Sequence, residues 1–280
     1  MTFAVAGRTI AITGATGGLG VALATKLRER KANVALLDLD GGAAERLAHD
    51  LGGGRVAWGT SVDVCSLESV EQAMAGTSKH FGRIDVVIAG AGIGNIWGTL
   101  TSTAEESWEK VIDVNLTGVW RTFRAALPYV ADTGGQLTAI ASMASFVHSP
   151  LHGSYAASKA AVLALCNSLR IELRESGVSV TSVHPAFFKT PMIAEALEDP
   201  VTRAIWGDFR GPFKPIPIDS VVAGIIGGIE HRKDQVVIPG AFLPIAKATG
   251  PLRPIMDRAT FRRRDIRRAI DHYPPIQAAI

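Results

Sequence analysis

The chain alternates between short apolar runs of strand length and longer segments with helical spacing, and this alternation constrains its fold more than any other feature. Residues 8–13 form an apolar run that ends in a glycine cluster, after which residues 21–30 take up helical spacing. The pairs 33–38 with 43–51, and 55–63 with 67–80, repeat the order. Residues 86–89 give a fourth strand, and Ser102-Thr103-Ala104-Glu105 fits a capping box opening a helix that runs to Leu127, before Pro128. Strands at 137–141, 178–184 and 235–238 are separated by helices at 155–174 and 221–230. The pattern predicts an α/β fold: one doubly wound parallel sheet of about seven strands, with right-handed crossovers placing helices on both faces.

At 280 residues, 47% apolar and 20% charged, the chain has ample material for one core, which excludes disorder, collagen and coiled coil. It contains no run of eighteen uncharged apolar residues, and Gly7 and Arg8 stand where a signal peptide would be apolar, so the expected location is cytoplasmic. Cys65 and Cys166 are too far apart for a metal-ligand motif; both are expected to be buried thiols, and no metal is expected.

The turn after the first strand, Thr13-Gly14-Ala15-Thr16-Gly17-Gly18-Leu19-Gly20, opens a helix. Glycines there let backbone approach a pyrophosphate, whose charge the helix N-terminus stabilises, so Gly14, Thr16, Gly18, Leu19 and Gly20 are candidate dinucleotide contacts. The spacing is Gly-x-x-x-Gly-x-Gly, which differs from the Gly-x-Gly-x-x-Gly fingerprint. Asp38, eighteen residues past Gly20, ends the second strand. Its carboxylate accepts hydrogen bonds from both adenosine ribose hydroxyls and repels a 2′-phosphate, which selects NAD over NADP. Asp63 and Val64 end the third strand and fit either an adenine contact or a turn cap. The sheet is accordingly expected to be Rossmann-type. Residues 1–240 read as the dinucleotide-binding catalytic domain, with a glycine- and proline-rich substrate loop at 185–217; residues 241–280 read as a basic C-terminal extension.

Tyr155 and Lys159 are four apart and project from one face of a helix. A phenol titrates near 10, so it needs a neighbouring positive charge to act as a base at neutral pH, and Lys159 supplies one. Ser142 lies at the carboxyl end of the fifth strand, where its hydroxyl can orient a substrate oxygen.

Together with Asn115 in Val114-Asn115-Leu116 and the stretch 185–190, these residues make the chain resemble the short-chain dehydrogenase/reductase superfamily over about residues 5–240. The resemblance implies an Asn115, Ser142, Tyr155 and Lys159 catalytic set. In it Tyr155 is general acid/base, Lys159 also binds the nicotinamide ribose, Ser142 positions the carbonyl and Asn115 holds a water on the proton path. It further implies cofactor contacts at Ala91, Gly92, Pro185 and Thr190, and a homodimer or homotetramer. Two departures stand out: Ala89-Gly90 replaces the family's asparagines, and Ala186 replaces a glycine, where a left-handed backbone would be strained.

The reaction expected is hydride transfer between NAD and an apolar secondary alcohol or ketone, with Tyr155 exchanging the proton. Its rivals are an NADP-linked carbonyl reductase, which Asp38 disfavours, and a non-catalytic dinucleotide sensor, which would have no use for Tyr155 and Lys159 together. Phe146, Leu151, Phe187, Phe188, Met192, Trp206, Phe209 and Phe213 are candidate substrate walls or core. His148 and His152 flank the pocket and fit either a substrate contact or proton relay or, the favoured reading, surface or loop-packing histidines; His184 is expected to be structural. The helix of Tyr155 is apolar on more faces than one sheet contact buries, which fits the oligomer. The tail carries eight Lys and Arg against three Asp. Leu252, Ile255, Met256, Ala259, Ile266 and Ile270 fall in one helical sector, with Arg263 in its middle and Phe261 opposite. This pattern fits packing on the protein itself first, a solvated or disordered tail second and membrane attachment third, and no nucleic-acid module presents the arginines.

Overall fold

The computed structural model describes residues 2–94, 97–189, 194, 198–250, 261 and 263–273. Seven strands, β1 (Thr9–Thr13), β2 (Asn33–Asp38), β3 (Ala57–Ser61), β4 (Val86–Ala89), β5 (Gln136–Ile140), β6 (Ser179–Pro185) and β7 (Gln235–Ile238), form one sheet in the order β3-β2-β1-β4-β5-β6-β7. Every neighbouring pair is parallel. Both faces are covered, so β1 and β4 are buried throughout and read as continuous apolar runs. Alternate residues serve opposite cores. Ile10, Ile12, Val34 and Leu36 pack with Leu23 and Leu27 of α1 (Gly18–Glu29) and Ile225 and Ile229 of the helix Ile218–Glu230. On the other face Ala11, Ala35, Leu37 and Val87 meet Val70 and Met74 of α3 (Leu67–Phe81), Phe123 of α5 (Gly118–Asp132) and Val162 of α6 (Gly153–Glu172). The helix α2 (Gly41–Asp50) joins β2 to β3, its first turn capped by Asp40.

Register brings the carboxyl ends of the central strands to one edge, with Thr13 opposite Leu37 and Ala89. The chain leaves β1 toward β2 on one side and returns to β4 on the other, so a crevice opens at this switch point. Two expected features differ. The capping box does not form: α4 (Glu105–Ile112) starts at Ala104 without a side-chain cap, because Ser102 bonds Thr99 in a tight turn instead. The single helix ending before Pro128 is instead α4, a π-helical turn at Asp113–Thr117 and α5, which carries Pro128 inside it and runs on to Asp132. Among the described residues no helix is long and apolar enough to cross a membrane.

Candidate active site

The carboxyl edge of the sheet borders a cavity of about 1100 Å³. At one end lies the glycine turn. Gly14 has a φ of 72°, and a Cβ on it would meet the Ala91 backbone at 2.8 Å, while a Cβ on Gly20 would fall 2.3 Å from the Gly14 carbonyl oxygen. Only glycine lets this turn sit so close to both α1 and the loop after β4. The α1 N-terminus has no side-chain cap and no carboxylate in its first turn, which leaves its amide donors and dipole for an anion. Gly14, Thr16, Gly18, Leu19 and Gly20 all line the cavity, as does Asp38, whose Oδ2 accepts the Thr16 N–H at 2.9 Å.

Asp63 and Val64 line the same end. Asp63 Oδ1 accepts the Cys65 N–H at 2.8 Å, so this side chain also forms a turn. Arg121 bonds both the Val64 carbonyl at 3.2 Å and Asp113 at 2.7 Å, tying this loop to the π-helical turn. Cys65 departs from expectation: it is only half-buried and lines the cavity. Burial and the neighbouring Asp113 push its thiol up to about 12. Cys166 is buried.

The loop after β4 is held from two sides. Thr13 Oγ1 accepts the N–H of Gly90 at 3.1 Å and of Ala91 at 3.4 Å. Any Cβ at Gly90 would lie 2.8 Å from the Thr13 carbonyl oxygen, so in this backbone the departure Ala89-Gly90 is a fitted one. Asn115, in the π-helical turn, accepts from Ile93 N–H and donates to Ile93 C=O, both at 2.8 Å, and donates to Ser158 Oγ at 3.3 Å. A π turn places one extra residue in a helical circuit and re-aims the side chain. Asn115 therefore sits fully buried behind the wall rather than in it. Ala91 and Gly92 remain in the wall.

Ser142, Tyr155 and Lys159 lie together in the wall of the cavity. The Tyr155 phenol hydrogen-bonds Ser142; burial raises its pKa and that bond opposes the rise. Lys159 Nζ lies 5.6 Å from the centre of the Tyr155 ring and donates to the Ile140 carbonyl at 2.9 Å. Burial lowers its pKa from 10.5 to about 8. Ser145 Oγ donates to the Lys159 carbonyl at 2.8 Å, fastening α6 to the turn after β5. His184 is buried, its Nδ1 bonded to the Ser142 carbonyl at 3.1 Å and its Nε2 to Ser182 Oγ at 3.0 Å. Burial lowers its pKa to about 4, so it braces Ser142 as a neutral ring.

Pro185, Phe187, Phe188, Trp206 and Phe213 line the far end, whereas Phe146, Leu151 and Phe209 are core beside it. Ala186 has no left-handed φ, and its N–H donates to the Ile238 carbonyl at 2.7 Å, so alanine fits this backbone without strain. Thr190 and Met192 lie outside the described residues, as do Leu252, Ile255, Met256 and Ala259. Several described residues past Gly240 lie at the far end. Phe242 and Ile245 line the cavity, and buried Phe261, which precedes the helix Arg263–His272, sets its ring 5.4 Å from that of Trp206. Ile266 joins this cluster while Ile270 is exposed.

Two further residues complete the wall: His152, which the sequence sets beside the pocket, and Trp97, which it does not single out. His152 stacks face to face on Tyr155, with ring centres 4.5 Å apart, and on its other side on Trp97 at 4.0 Å. No local signal brings Trp97 to the stack, because that contact is made between two loops. Here the Gly98 N–H bonds the Leu151 carbonyl at 2.9 Å.

A cradle that a Cβ would fill, amides left open at a helix start, and a carboxylate at the next strand end are the donors and spaces a nicotinamide dinucleotide requires. Comparison with known proteins points the same way. The family model described as short chain dehydrogenase matches residues 8–200. An uncharacterised NAD-dependent oxidoreductase of Mycobacterium tuberculosis is 37% identical over 229 residues, covering 76% of this chain and 82% of that protein. The 2-(R)-hydroxypropyl-CoM dehydrogenase of Xanthobacter autotrophicus is 37% identical over 207 residues, covering 70% and 80%. A crystal structure of a short-chain dehydrogenase/reductase from Burkholderia phymatum in complex with NAD superposes with a TM-score of 0.77 over 91% of this chain and 96% of that one; at 24% identity, this is a likeness of fold. The matched stretch runs from the start of β1 through the helix of Tyr155 and beyond β6, and on that ground the chain belongs to the short-chain dehydrogenase/reductase family.

Proposed function

We propose that this oxidoreductase uses NAD to interconvert an apolar secondary alcohol and its ketone. The observation that carries the reading is that Ser142, Tyr155 and Lys159 open on the same cavity as the glycine cradle and Asp38. When bound in that cradle, NAD supplies the hydride acceptor or donor. The chain's own residues handle the oxygen and its proton. Ser142 holds the substrate oxygen, and Tyr155 gives its phenolic proton to the carbonyl in reduction and takes the alcohol proton in oxidation. Charged Lys159 favours the phenolate during the second of these. Asn115, through Ile93 and Ser158, keeps the loop after β4 against α6.

Asp38 supports NAD over NADP. Its carboxylate is fixed by the Thr16 N–H at the cavity rim, where a 2′-phosphate would meet a like charge. A relative named as NAD-dependent supports the same choice. Ile93, Trp97, Val147, Phe187, Trp206 and Phe213 make the substrate end predominantly apolar. The expected assembly is a homodimer or homotetramer. Ala157, Ala164 and Ile171 form an exposed stripe along α6, and Trp108 and Trp120 stand 40% and 41% exposed on α4 and α5.

The test is Tyr155→Phe. On an alcohol that the wild type oxidises, kcat should fall by about 10²–10⁴-fold, the usual share of general acid–base catalysis. The dissociation constant for NADH should stay near its wild-type value. Retention of most of the wild-type rate would refute the role of Tyr155.

A further inference from the structure

His152 is held in a way that leaves one of its nitrogens available. Its Nε2 lies 2.8 Å from the carbonyl oxygen of Gly94, and a carbonyl only accepts, so Nε2 carries the proton. Burial lowers the imidazole's pKa to about 4, which leaves the ring neutral at physiological pH and makes Nδ1 a bare acceptor. Nδ1 has no hydrogen-bond partner among the described residues, and it is absent from the sealed polar atoms that lack one. It is therefore not sealed off, and His152 lines the cavity. The stack between Trp97 and Tyr155 fixes the plane of the ring.

We infer that His152 is a specificity-determining residue: its Nδ1 accepts a hydrogen bond from a hydroxyl carried a few bonds from the reacting carbon, so that the pocket selects a vicinal diol or the matching α-hydroxy ketone over a plain alcohol or ketone. The stacked rings of His152 and Tyr155, with centres 4.5 Å apart, put the imidazole beside a substrate whose reacting oxygen is held at the Tyr155 phenol. The rest of the substrate meets the apolar walls. This inference rests on reading the cavity as an alcohol–ketone site.

The experiment compares 1,2-diols with 2-alkanols of the same carbon skeleton. Each is titrated into the protein saturated with NADH, where no turnover occurs, and binding is read by calorimetry or by tryptophan fluorescence. The wild type should bind the diol of a fitting pair about tenfold more tightly, equivalent to about 1.4 kcal/mol. His152→Phe keeps a flat ring between Trp97 and Tyr155 but removes the acceptor, and the ratio should fall to about one. The inference is overturned if no diol binds the wild type more tightly than its partner, a result that needs no variant. A preference that persists in His152→Phe overturns it equally. Turnover of the same pairs with NAD is followed separately. Absence of any reduction of NAD counts against the oxidoreductase reading, while the binding ratio still judges His152.

Discussion

Lys159→Met should make the cofactor-free protein more stable at neutral pH and remove its activity. Methionine has nearly the length of lysine without the charge, and Lys159 is only 4% exposed. Burial holds its amine at about 8 instead of 10.5. That gap corresponds to about 3 kcal/mol of destabilisation wherever the amine is protonated in the folded protein. The unfolded chain keeps its proton up to 10.5 and the folded chain only to about 8, so the unfolded state binds more protons between the two. Stability therefore rises with pH across that window, and the full burden acts below it. The lysine's bond to the Ile140 carbonyl returns part of the cost, about 1–2 kcal/mol for a charged donor. The net gain for Lys159→Met at pH 7 is then about 1–2 kcal/mol, or about 2–4 °C in Tm. By pH 10 the wild type has shed most of its burden, and the gap should have moved by about 2 kcal/mol in its favour. Denaturant unfolding of both proteins at pH 7 and pH 10 measures this, with every other titrating group common to the pair. A gap that does not change with pH would refute the reasoning, because the amine would then titrate alike in both states. A gain in stability with loss of turnover is the trade expected of a charge kept for chemistry.

Asp38→Ala should relax cofactor choice: the kcat/KM ratio of NAD to NADP falls by about tenfold or more as the like charge facing the 2′-phosphate is removed. A wild-type preference for NADP would refute this use of Asp38. Phe261→Ala removes the ring packed on Trp206 and should raise KM for the substrate several-fold while leaving NADH affinity unchanged, since Phe261 lies at the far end of the cavity from the glycine turn. Equal effects on both ligands, or none, would show that the tail does not shape the substrate end. Light scattering should give a dimer or tetramer at micromolar concentration, and Ile171→Glu, placing a charge at a position 70% exposed in the single chain, should weaken that assembly. A monomeric wild type would rule out the oligomer.

The sheet was legible because its strands are buried on both faces, so that β4 and β7 appear in the sequence as short apolar runs with the bounds they have in the structure. The cavity was legible for a different reason. A glycine turn, a strand-end carboxylate and a tyrosine four residues before a lysine each carry a spacing that backbone geometry imposes, and the sheet edge brings them together. What was illegible depends on contacts that leave no periodic trace. The π-helical turn that turns Asn115 inward differs from its flanking helices only in hydrogen-bond register, and its sequence, Asp-Val-Asn-Leu-Thr, reads as ordinary helix. Ser102 had the spacing of a cap but found a nearer partner in Thr99. Of the tail's six apolar positions, Ile266 packs beside Phe261 and Ile270 is exposed, while Phe261, which lay outside the stripe, is buried because a ring anchored on Trp206 needs no repeat. The sequence set His152 beside the pocket, but its stack on Trp97, fifty-five residues earlier, and its bond to the Gly94 carbonyl follow the same logic. Spacing along one element reports the fold and the residues common to its chemistry, whereas pairings between loops decide which substrate that chemistry meets, and those pairings became visible only when the loops were placed in space.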